Sequence, residues 1–119
     1  MKTPFATIVL LADRKHSQTA KTLKGSGYQL MTTYTPDHAV AICVNNPVDL
    51  VILDQEHFIQ TEGWSVAKSL KMIRQGVCVI LVVRGKIIDN QPPEGVDAVV
   101  PDHDAQALIA TIRHLLKGF

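Results

Sequence analysis

Three short apolar runs, Ala6–Leu11, Asp49–Leu53 and Val77–Val83, constrain this chain more than any other feature. They are rich in Val, Ile and Leu and do not alternate with polar residues. A strand with one wet face alternates, whereas a strand covered on both faces does not, and the second pattern is that of a buried parallel sheet. Gln29–Thr35 is more polar and more β-branched, as an edge strand is. Gly95–Val100 is a fifth, shorter strand candidate.

Helical patterns fill the gaps between the runs. Thr35-Pro36-Asp37 is a helix start: a hydroxyl at the N-cap, proline at the first helical position and an acid in the first turn. The helix that follows is expected to present Val40, Cys43 and Val44 on one face and to stop before Pro47. Another opens at Thr61 or Glu62, carries Val66, Leu70 and Ile73 inward, and ends at Gly76. In the last helix Asp104 is the cap, and Leu108, Ile109, Ile112, Leu115 and Leu116 form one apolar stripe. Ser17–Lys24 reads as a short first helix. Between the fourth and fifth strands, adjacent Pro92 and Pro93 with Gly85 and Gly95 at the ends leave room for a loop or one turn.

Strands alternating with helices imply βαβ units with right-handed crossovers. At 119 residues, one domain spanning 1–119 is expected. Its natural form is a three-layer α/β flavodoxin-like fold with a five-stranded parallel sheet of order 2-1-3-4-5 and the fourth helix short or replaced by a loop. A formal net charge of +1 and an aromatic fraction of 5% give no basis for nucleic acid or an anionic membrane as partner. The apolar runs are too short to span a bilayer and no secretory leader pattern is visible. Cys43 and Cys78 both lie in apolar runs and read as reduced thiols, so the expected location is cytoplasmic.

Doubly wound sheets place their working groups at the carboxyl ends of the strands, near the switch in strand order. The first strand ends in Asp13, the third in Asp54, with Glu56 and His57 following. The fourth ends in Val82-Val83-Arg84 and the fifth in Asp102-His103-Asp104. Strands one and three are neighbours in this topology, so Asp13 and Asp54 are expected in one cleft. Two carboxylates there repel unless a cation lies between them or one takes a proton. Oxygen ligands of this kind suit Mg2+, Ca2+ or Mn2+.

The stretch His38–Asp54, HAVAICVNNPVDLVILD, resembles the second helix and third strand of response-regulator receiver domains. Thr7–Asp13 (TIVLLAD) looks like that family's first strand, and Gly95–Asp102 (GVDAVVPD) is similar to its fifth. The resemblance, which runs over nearly the whole chain, implies a CheY-like fold and a role in two-component signalling. It places the phosphoacceptor on Asp54 and a metal site on Asp13, Asp54 and the backbone carbonyl of Glu56. It also shows departures. The first acid of the strand-one pair is Ala12. The strand-four Thr or Ser falls on Val82 or Val83, the switch aromatic on Val99, the lysine on Asp102 and its proline on His103. The Met-Pro pair after the phosphoacceptor falls on His57-Phe58, and the family's fourth helix falls on the Pro92-Pro93 loop.

A phosphoryl oxygen needs donors and positive charge, and valine offers neither. Charges about 5 Å apart interact by roughly 3 kcal/mol at an effective dielectric of about 20, so exchanging a lysine for Asp102 reverses a substantial term. Arg84 is the one nearby candidate for a neutralising partner of Asp54. The first reading is therefore a degenerate receiver, not an enzyme, acting through a protein partner such as a histidine kinase or another signalling protein, with a homodimer left open. The alternative is an ordinary receiver phosphorylated on Asp54 with Mg2+. A third reading, from another class, is a transition-metal or metal-dependent hydrolase site built from Asp13 with His16, Asp54 with His57, and Asp102 with His103. Trp64 is expected to pack across the start of its helix, and Ile87 and Ile88 either to be exposed or to tuck under the proline loop.

Overall fold

In the computed structural model, the residues described are 6–12, 18–54, 62–74, 76–83, 95–101 and 104–116, without the side chains of 18 and 62–65. Each apolar run forms a strand: β1 is Thr7–Ala12, β3 is Leu50–Asp54 and β4 is Cys78–Val83. The polar run supplies β2, Gln29–Thr33, and the last run supplies β5, Ala98–Pro101. The helices are α1 (Gln18–Lys24), α2 (Pro36–Asn45), α3 (Glu62–Ile73) and α4 (Ala105–Leu115). All strand pairs are parallel and the order is β2-β1-β3-β4-β5, the order expected from the sequence.

Both faces of the sheet are covered, which is why the central runs do not alternate. Val9, Leu11, Val51, Leu53, Val79 and Leu81 pack with Ala39, Cys43, Ala67 and Leu70 of α2 and α3. Ile8, Leu10, Leu50, Ile52, Ile80 and Val82 pack on the opposite side with Ala20, Leu23, Leu108 and Ile112 of α1 and α4. Odd-numbered positions of these strands thus face α2 and α3, and even-numbered ones face α1 and α4.

The caps form as the sequence signals. The Thr35 hydroxyl accepts from His38 N at 3.2 Å, and Asp104 Oδ1 accepts from Ala107 N at 2.9 Å. Two helix faces differ from expectation. In α2 the buried residues are Ala39, Ile42 and Cys43, with Val40 half-buried and Val44 at 56% exposure. In α3, Val66, Ala67 and Leu70 turn inward while Ile73 is exposed. In each helix the buried stripe is rotated from the expected one, so that Val44 and Ile73 fall on its exposed flank while Cys43 and Leu70 in the same turns stay buried. In α4, Leu108, Ile112 and Leu116 are buried, and Ile109 and Leu115 are half-buried.

Two aspartates tie the amino ends of the strands. Asp49 Oδ2 accepts from Thr7 N at 2.8 Å, and Asp97 Oδ2 accepts from Val79 N at 2.7 Å. Each stands just before its strand and accepts from a backbone N–H in the first two residues of the neighbouring one. Lys71 of α3 adds a bond to Asp97 at 2.7 Å and another to the Val77 carbonyl at 2.6 Å. Beside them Gly95, at φ +87°, lies so close to α3 that an added Cβ would meet Lys68 N at 3.1 Å. The proline loop, Trp64's side chain, Ile87 and Ile88 lie outside the described residues.

Candidate functional site

Asp54 closes β3, and the sheet buries it to 4% exposure. A carboxylate taken so far from water requires compensating partners. The strand register explains which residues surround it. Ala12 is its direct partner on β1. On the other side the last pair is Leu53 with Leu81, so Val82 is the next residue along β4. Ala12 and Val82 both belong to the cluster facing α1 and α4, and strand alternation puts the Asp54 side chain on that same side. The structure therefore separates the two valines that spacing left open: Val82, 3% exposed, shares the side of Asp54, and Val83 packs toward α2 and α3.

Val99 pairs with Leu81 and is half-buried against the α2 and α3 cluster. No aromatic ring exists at this place to swing between buried and exposed positions. Pro101 ends β5 opposite Val83. It has no N–H, which a proline at the end of an edge strand does not need. The remaining candidates, Asp13, Glu56, Arg84 and Asp102, with His16, His57 and His103, lie outside the described residues. So the structure brings Asp54, Ala12 and Val82 to one side of the sheet.

A divalent cation of the Mg2+ type takes an octahedron of oxygen atoms. The described part of the expected set offers it one carboxylate, Asp54, with a methyl group at Ala12. Among the described residues no group of three or more His, Cys, Asp or Glu side chains is arranged to hold a metal ion.

The two thiols stand apart from this cleft and from each other. Cys43 is buried among α2, α3 and the sheet, and burial pushes its thiol above the ordinary value of 9.0, against an opposing pull from Arg74. Burial raises Cys78 too, and the negative charge of Asp97 adds to that shift. Both therefore stay as thiols at neutral pH and lack the thiolate character of a nucleophile.

The ties at the opposite end of the sheet were not foreseen. Their signal was present: Val48-Asp49 and Val96-Asp97 repeat one dipeptide before β3 and β5. A short bond of 2.7 Å between the Thr33 hydroxyl and His38 Nδ1, joining β2 to α2, had no comparable sequence signal.

No protein-family model matches the sequence, and no curated protein matches it significantly. Solved structures do match in fold. The signal receiver domain of an HD domain-containing protein from Pseudomonas fluorescens Pf-5 is 18% identical, with a TM-score of 0.80 over 98% of this chain and 90% of that one. The structure of histidine kinase ThkA in complex with the response regulator TrrA contains a chain that is 20% identical, with a TM-score of 0.78 over 94% of this chain and 99% of that one. TrrA from Thermotoga maritima in complex with Mg2+ and BeF is 19% identical, with a TM-score of 0.72 over 94% of this chain and all of that one. This chain thus has the CheY-like fold of response-regulator receiver domains, with an aspartate, Asp54, closing its third strand.

Proposed function

We propose that this chain is a degenerate receiver module of two-component signalling, which works through protein contacts and not through a phosphoryl group on Asp54. One observation carries the reading: Ala12 and Val82 flank Asp54 on its own side of the sheet. In this reading a methyl and an isopropyl group take the places that the resemblance gives to a second metal ligand and a phosphoryl hydrogen-bond donor. Val99 supports it, since it has no ring to report a change at the cleft. Asp102, by the resemblance, adds negative charge where a lysine is expected. The module is non-catalytic in this reading. Its partner is a signalling protein, by analogy with the kinase complex of the similar structure, and its compartment is the cytoplasm. Among the described residues no helix is long and apolar enough to cross a membrane.

Incubation with acetyl phosphate and Mg2+, followed by intact-mass measurement, tests the proposal. An unchanged mass is expected. Stable addition of one phosphoryl group, lost on Asp54→Asn, would overturn it.

The retained, buried Asp54 favours a second reading, an ordinary phosphoacceptor that uses Mg2+. The TrrA structure carrying Mg2+ and BeF shows which ligand to use. Titration with beryllofluoride and Mg2+, followed by amide resonances of β3 and β4, separates the two: shifts centred on Asp54 support the phosphoacceptor, and none are expected for the degenerate module. The metal-site reading with His16, His57 and His103 predicts tight Zn2+ binding by calorimetry, and the proposed module predicts none.

A further inference from the structure

We draw no further inference here: the strongest candidate, the groove between α1 and α4 lined by Thr22, Ala105, Gln106, Ile109, Ala110 and Arg113, carries nothing, because its neighbouring basic groups, Lys21, Lys24, Arg113 and His114, stand in the last turns of the two helices, where they already complement the helix dipoles, and nothing in the structure shows what covers it.

Discussion

Replacing Val82 by threonine tests the geometry on which the functional reading rests. Valine and threonine have nearly the same shape, so the exchange swaps one methyl group for a hydroxyl. Val82 is 3% exposed and packed among aliphatic side chains of β1, β3, α1 and α4. A hydroxyl moved from water to such a place without a partner costs roughly 1–3 kcal/mol on the scale of protein mutational data. With an m-value of about 1.5 kcal/mol/M in urea, a loss of about 2 kcal/mol lowers the midpoint by about 1.3 M. The same exchange at half-buried Val83 leaves the hydroxyl nearer water and costs about 1 kcal/mol or less. Urea unfolding followed by circular dichroism measures both variants. A neutral Val82→Thr with no beryllofluoride response, together with a costly Val83→Thr, would refute the placement of Val82 among the buried aliphatic side chains on the side of Asp54. The degenerate reading would then lose its main support. If Val82→Thr proves neutral and the variant also gains a beryllofluoride response, the hydroxyl has found the acid's ligand, and the cleft is one substitution from the ordinary chemistry.

Asp97→Ala removes the acceptor of the buried Val79 N–H and the partner of Lys71. Loss of the first costs about 1–3 kcal/mol and loss of the exposed ion pair at most about 1 kcal/mol; the loss should persist in 1 M NaCl, and a loss abolished by salt would show that the ion pair dominates. Gly95→Ala meets both a positive φ and the α3 backbone at 3.1 Å, so the melting temperature should fall by several degrees, about 1–3 kcal/mol; an unchanged melting curve would contradict the close approach. The raised thiols of Cys43 and Cys78 bind protons more tightly folded than unfolded. Their contribution is complete below about pH 9 and is lost as pH rises through the folded values. Unfolding free energy should therefore decline above about pH 9, and a Cys43→Ala, Cys78→Ala variant should lose that part of the decline; an identical pH profile in the variant would refute it.

The architecture was legible because its cause is local in sequence. Three non-alternating runs can be buried only by cover on both faces, and the helical patterns between them supply that cover. From there parallel pairing and the strand order follow. Asp54 was legible for the same reason: it is the polar residue that ends a buried run, and such an end is where a doubly wound sheet opens. Two helix faces were less legible. Val44 and Ile73 match the helical period as well as Ala39 and Ala67 do, and periodicity alone does not say which flank of the stripe meets the sheet.

By itself the sequence determined a parallel five-stranded sheet between two helical layers and the aspartate closing its third strand. Only the tertiary structure decided which of two adjacent valines stands with that aspartate. Neighbours along a strand point to opposite faces, so the answer depends on register against β3 and not on residue type. The structure also decided what Asp49 and Asp97 do, because a carboxylate at a strand entrance finds its N–H partner only when the neighbouring strand is beside it. Ala12 and Val82 come to the side of Asp54 from strands far apart in the chain, and they do so only through the pairing of β1, β3 and β4.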